Sequence, residues 1–296
     1  MQALAEFILR SRSQAMLVAV GCAVLAMLMP PMVWAAAAVV ALVTLVQGWR
    51  EGLGVILVAA AGAGLITWLP GGTPLPGAAL VISAGIPVWL IAGVLGMTRS
   101  LGAALQAAAV VAATAMAGMY VLMPDAAAQW REVIGRLLRP AYERQELPMD
   151  QFDTLVNWVA ERVYGIFAAS LLFSSVIGLL LGRWWQSLVQ QPGAFGEEFR
   201  ELRLDRRVAV LAGLVLVGAL AAQPAWLDGL AMLAVVLYLF VGLAVVHGLV
   251  KLREMNVGWL VGMYALTVLA VPHMPLLLAS MGWLDSWADF RRQLSG

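Results

Sequence analysis

The feature that most limits what this chain can become is a series of nine apolar stretches, each free of Asp, Glu, Lys and Arg. They cover residues 15–29, 33–47, 52–69, 78–96, 101–123, 163–182, 208–222, 229–250 and 257–280. A helix rises about 1.5 Å per residue and the hydrocarbon core of a bilayer is about 30 Å thick, so these stretches are long enough, or nearly so, to cross it. Backbone groups in lipid find no water to bond, which leaves helices that satisfy their own N–H and C=O groups. The expected fold is therefore all-α: a polytopic transmembrane helix bundle of about nine spans with short interfacial amphipathic helices. Only 12% of the 296 residues are charged, against roughly a quarter in a soluble domain. The longest polar stretch, 124–162, is too short to bury a core of its own, so residues 1–296 form a single integral membrane domain.

Spans one and two are only 15 residues each and are separated by Pro30 and Pro31, which stop a helix and favour a tight hairpin. The alternative is a cleaved secretory signal, with Arg10 and Arg12 ahead of the apolar run and Ala35 to Ala38 behind it. Basic residues set the orientation. Arg10, Arg12, Arg50, Arg99, Arg183, Arg200, Arg203, Arg206, Arg207, Lys251 and Arg253 all fall on one side if the amino terminus is cytoplasmic. The short turns on the other side, 30–32, 70–77 and 223–228, carry no Lys or Arg. That asymmetry is the positive-inside rule, and it predicts a bacterial inner (cytoplasmic) membrane protein with its amino terminus inside. Nine crossings then place the carboxyl terminus outside.

Two polar segments break the apolar pattern. In the outer one, 124–162, Trp130, Val133, Ile134, Leu137 and Leu138 form one stripe of an amphipathic helix. Arg131, Arg136 and Arg139 lie off that stripe and are candidates for an outer lid that meets an anionic substrate; alternatively the segment rests on the membrane surface near lipid phosphates. A second amphipathic helix is expected after Pro148, with Asp150 as N-cap and Phe152, Leu155, Val156, Val159 and Val163 on its apolar face. In the inner segment, 183–207, Trp184 and Trp185 read as an interfacial anchor and Gln191-Pro192-Gly193 as a helix break. Phe195, Phe199 and Leu202 then repeat at helical spacing, ending in Arg203, Arg206 and Arg207. Pro192, Gly193, Phe195, Glu198, Phe199, Leu202 and Arg203 are thus candidates for docking a partner, the alternative being lipid anchoring.

Several chemistries are excluded by what the chain lacks. With no charged residue inside a span, a carrier driven by a buried carboxylate is not expected. His247 and His273 lie at opposite depths and make no metal-ligand set. The single cysteine, Cys22, allows neither a disulfide nor a cysteine-based zinc site. Ser170, Ser174 and Ser175 have no base placed beside them, and hydroxyls at this spacing usually bond their own helix. There is no GxxxxGK[ST] phosphate loop, so ATP coupling requires a partner. A net charge of +1 gives no reason to expect nucleic acid. No catalytic, metal or cofactor site is expected, and the chain does not read as an enzyme.

Two stretches carry a resemblance. Met281-Gly282-Trp283-Leu284-Asp285-Ser286-Trp287-Ala288-Asp289-Phe290-Arg291-Arg292 resembles the closing G-x-x-D-x-x-x-D-F-R signature of the YybS-like family of bacterial multi-pass membrane proteins. Pro192-Gly193-Ala194-Phe195-Gly196-Glu197-Glu198-Phe199 looks like the P-G-x-F-x-E-E-F segment of its proteobacterial members. Gly282, Asp285, Asp289, Phe290 and Arg291 are the candidate signature residues. Read from their spacing, Asp289 pairs with Arg292 in a short outer helix that Asp285 caps.

That family is distantly similar to the substrate-binding subunits of energy-coupling-factor transporters, which work with a separate membrane scaffold and ATPases. The resemblance implies a partner-facing surface along Ala15, Ala19 and Ala23. The chain departs from those subunits in having nine expected spans where they commonly have six. Two functions remain open at this point. One is a membrane component that binds a small neutral ligand from the outer side and is energised by a scaffold or ATPase partner. The other is a non-transporting scaffold that recruits a cytoplasmic or envelope protein. The lipid bilayer is a partner under both.

Overall fold

The computed structural model describes residues 1–124, 126–144 and 148–293, and within them every regular element is a helix. Five helices are long and apolar enough to cross a membrane: α4 (Trp49–Trp68), α5 (Leu75–Thr98), α6 (Leu101–Leu122), α9 (Val163–Gln190) and α12 (Ala225–Leu252). Around them stand shorter apolar helices, α2 (Arg12–Ala26), α3 (Met32–Gln47) and α13 (Gly258–Leu269), with α11 (Arg206–Ala222) and α14 (His273–Ala288). The protein is thus a helical membrane bundle. The remaining helices are α1 (Gln2–Arg10), α7 (Ala126–Arg144), α8 (Met149–Glu161), α10 (Ala194–Arg200) and α15 (Phe290–Gln293).

Small residues set how closely the long helices approach, as expected where lipid removes the hydrophobic drive and contact area decides association. A Cβ on Gly178 or Gly182 of α9 would lie 2.6 Å from Ala37 or Ala41 of α3. Gly165 of α9 meets Gly229 of α12 backbone to backbone. Gly242 of α12 and Gly282 of α14 form a second such contact; a Cβ on Gly242 would lie 1.9 Å from the Leu278 carbonyl oxygen. Of the small-residue pairs visible in the sequence, Gly178 and Gly182 are used in this way, whereas Gly262 of α13 has open space beside it.

Two expectations fail here. The stretch 257–280 is not one span. It breaks at Ala270-Val271-Pro272, with a cis Val271–Pro272 bond, into α13 and α14. Proline supplies no N–H and cannot extend α13, and the chain turns back. The direction of α14 follows from its neighbours: Gly282 packs on Tyr238 and Gly242, and further along the chain Arg291 packs on Gly248, so α14 runs parallel to α12. Its end lies beside residues 200–203 of the inner segment, not on the opposite face.

The second failure is the Ala15, Ala19, Ala23 stripe. All three are buried against α3 and α4, so it is an internal seam and offers nothing to a partner. One element was not anticipated: α1, whose Ala5 and Ile8 are fully buried in a cluster with Trp185. The repeat of Ala5, Ile8 and Leu9 at i, i+3 and i+4 was the available signal. Since α1 packs on the end of α9, α1 and α15 lie on the same face, the one that carries the 183–207 segment.

The outer segment folds as anticipated into two helices, α7 and α8, packed on each other. Asp150 is not the N-cap, because α8 begins one residue earlier with Pro148 in that position.

Candidate functional site

The residues that the sequence singled out fall into three groups, and the fold joins two of them. Pro192 and Gly193 end α9 as expected, Gly193 taking a left-handed φ of 93° that suits a residue without a Cβ. Helix α10 then lays Phe199 against the ring of His247 on α12, with Phe195 stacked on Phe199. Phe199, Leu202 and Leu204 are buried. Burying side chains of this size stabilises the fold by about 1.5–3 kcal/mol each, so the aromatic stripe is an internal anchor and not a free docking surface. Glu198 faces Arg183 of α9 at 2.8 Å. Burial pushes its carboxyl pKa up, and the Arg183 guanidinium pulls in the opposite direction.

Against this segment sits the second group. Arg291 is buried and donates to the carbonyl oxygens of Arg200 and Leu202 and, at 2.7 Å, to the Asp285 carboxylate. The other Asp285 oxygen accepts the Phe290 N–H at 2.9 Å and so caps the turn that follows α14. Asp289, in a left-handed conformation with φ 49°, forms an ion pair with Arg203 at 2.5 Å. Asp289 thus reaches Arg203 across the fold, and the expected pair with Arg292 falls on a side chain outside the described residues. Trp283 donates to the Ala209 carbonyl at 2.8 Å and ties α14 to α11. Gly282 is where α14 touches the backbone of α12.

The two motif stretches, some ninety residues apart, are therefore one structural unit, a clasp that locks the carboxyl-terminal helix onto the 191–207 loop. Its ion pairs lie at the end of the bundle, among Arg200, Arg203 and Arg206.

Two clefts flank α10 on this face. One, of about 660 Å³, opens between the ends of α3, α5 and α9, with Leu45 and Leu95 on its apolar wall and Arg99, Gln186, Gln190 and Glu198 on its polar one. The other, of about 540 Å³, lies between α10 and the end of α12.

The third group, the candidate lid, is held elsewhere. Arg131 donates to Asn157 at 2.6 Å, Arg136 pairs with Glu132 on its own helix, and Arg139 lies over the Phe152 ring at 5.6 Å. The Arg131 and Arg139 contacts fasten α7 to α8, and all three arginines are occupied within the hairpin. The hairpin is seated by Trp130 against Phe167, while Phe152 is buried within it against Tyr142. At the adjoining helix ends Arg162 bonds Asp228 at 2.8 Å.

Among hydroxyls and imidazoles at membrane depth, several bond their own helices. Ser170 donates to the Ile166 carbonyl and Thr67 to that of Gly64, and His247 Nδ1 lies 2.8 Å from the Leu243 carbonyl. Comparison with family models, with curated proteins and with solved structures finds no match for this chain. The functional reading accordingly rests on geometry.

Proposed function

We propose that this protein is a non-transporting membrane scaffold of the bacterial cytoplasmic membrane, and that it recruits a partner at the clasp face. The observation that carries the reading is the packing of the interior. Helix backbones touch at Gly165–Gly229 and Gly242–Gly282, while the polar clefts open at the end of the bundle. Transport needs two alternative arrangements of packed elements, whereas close backbone contacts, one of them locked by the buried Asp285–Arg291 pair, favour one. Orientation follows the positive-inside rule. The clasp face gathers Arg99, Arg183, Arg200, Arg203, Lys251 and Arg291, so it is the cytoplasmic one, and α1 and α15 lie there as well. The partner contacts the cleft beside α5 and α9 through Arg99, Gln186 and Gln190, since the aromatic stripe is already buried.

The test is a photoreactive residue at Gln190 in living cells, with the captured protein identified by mass spectrometry, in the parent and in Arg99→Gly. Arg99 has a φ of 52°, which glycine adopts freely, so the substitution removes the charge without straining the helix end. One dominant partner, lost in Arg99→Gly, supports the scaffold. A tightly held small molecule, with no protein captured, overturns it.

A second reading, membership of the YybS-like family and a role as a ligand-binding component energised by a scaffold or ATPase partner, is favoured by the volume of the 660 Å³ cleft. Co-purification of an ATPase would support it.

A further inference from the structure

The cleft between α10 and the end of α12 holds charges that the clasp does not use. It is lined by Glu197, Arg200, Glu201, Lys251, Leu252 and Arg291. Two donor atoms of the buried Arg291 serve the clasp, Nη1 reaching Arg200 and Nη2 reaching Leu202 and Asp285. Its Nε is buried with no partner among the described residues. Arg200 and Lys251 form no ion pair among the described residues, and neither do Glu197 and Glu201. Two free cations, two free carboxylates and a leftover buried donor therefore share one cleft of about 540 Å³. At its edge Leu252, the last residue of α12, is exposed where the apolar helix ends.

An anion alone would meet repulsion from Glu197 and Glu201, and a cation alone from Arg200 and Lys251. A group carrying both charges a few bonds apart meets neither. We propose that this cleft binds the phosphoethanolamine headgroup of a membrane lipid. The phosphate oxygens accept from Arg200, Lys251 and Arg291 Nε, because guanidinium and ammonium groups make strong charge-assisted bonds to phosphate. The primary ammonium donates to Glu197 and Glu201, and the acyl chains leave past Leu252 along α12. A quaternary choline group has no N–H to donate, so the site discriminates against it. This inference does not depend on the proposed partner, although Glu197 and Glu201 border both clefts.

The experiment takes the full chain in detergent micelles with equal amounts of phosphatidylethanolamine, phosphatidylcholine and phosphatidylglycerol, and measures retained lipid by native mass spectrometry. The ethanolamine lipid is expected to be retained about tenfold over the choline lipid, the equivalent of one good charge-assisted bond. Arg200→Ala/Lys251→Ala loses that retention, and Glu197→Gln/Glu201→Gln levels the two lipids, both with unchanged circular dichroism. Equal retention by the parent protein, a preference for phosphatidylglycerol, or undiminished retention in the arginine–lysine variant would overturn the proposal. Binding of soluble O-phosphoethanolamine without retention of the lipid would overturn the assignment to a membrane lipid.

Discussion

Replacing Arg291 with Met should open the clasp. In the native fold its guanidinium meets Asp285 at 2.7 Å with side-chain exposures of only 9% and 2%, and it satisfies the carbonyls of Arg200 and Leu202. Methionine keeps much of the volume and removes every donor, leaving Asp285 charged, buried and bonded only to the Phe290 N–H. Breaking one side of a buried ion pair costs about 3–5 kcal/mol. Each orphaned carbonyl adds up to about 1–3 kcal/mol, less wherever water reaches it at the end of the bundle. Arg291→Met should therefore lose at least about 3–5 kcal/mol, while Asp285→Leu/Arg291→Met, which removes both charges but leaves the Arg200 and Leu202 carbonyls without their donor, should recover most of the loss due to the unpaired charge and keep the carbonyl cost. The assay is thermal unfolding in mild detergent together with trypsin cleavage in the 200–207 segment, which carries Arg200, Arg203, Arg206 and Arg207. In the single variant cleavage should accelerate strongly, and in the double variant it should return towards the parent rate. An Arg291→Met protein within about 1 kcal/mol of the parent, or strictly additive effects in the double-mutant cycle, would refute this account of the clasp.

Other consequences can be checked separately. Gly242→Leu should prevent α14 from seating, because even its Cβ would lie 1.9 Å from the Leu278 carbonyl oxygen; a loss of about 3 kcal/mol or more in thermal unfolding is expected, and a neutral result would mean the helices do not touch there. Glu198 carries a pKa raised chiefly by burial, so it binds its proton more readily folded than unfolded. Its contribution to stability should therefore improve as pH falls from 7 through its raised pKa towards the ordinary value of about 4.3, and the parent should gain in this window relative to Glu198→Gln. The opposite slope would mean that the Arg183 interaction outweighs burial. Arg136→Ala should change stability by less than about 0.5 kcal/mol, since its pair with Glu132 is exposed and within one helix.

How much of this was legible beforehand varies with the physics behind each signal. Uninterrupted apolar runs bounded by charge located α6 almost to the residue, at 101–122 against an expected 101–123. Helix α9 runs to Gln190, beyond the expected 182, because Arg183 marks the end of the apolar run and not the end of the helix. Proline was an ambiguous guide: Pro87 is accommodated inside α5, whereas Pro272 coincides with a reversal, and hydropathy treats the two alike. Helix α1 was missed because nine residues with one buried stripe fall below the length at which apolar runs attract notice. The residues of the candidate site were visible as types, but their pairing was not. Arg203 and Asp289, or Arg291 and Leu202, meet through tertiary packing, and no local periodicity reports such contacts. The amphipathic stripe of Phe195, Phe199 and Leu202 was read correctly as apolar, yet an apolar stripe does not say whether its partner is another protein or the chain itself.

The most direct test of the account is the sidedness of the two clasp halves. Single cysteines at Gln191 and after Gly296, in a chain whose Cys22 is replaced by Ala, would be labelled with a membrane-impermeant maleimide in right-side-out and inside-out vesicles. The clasp requires both to react only in inside-out vesicles. Labelling of the carboxyl-terminal cysteine from the opposite side would mean that residues 257–280 cross the membrane once, and the clasp could not form.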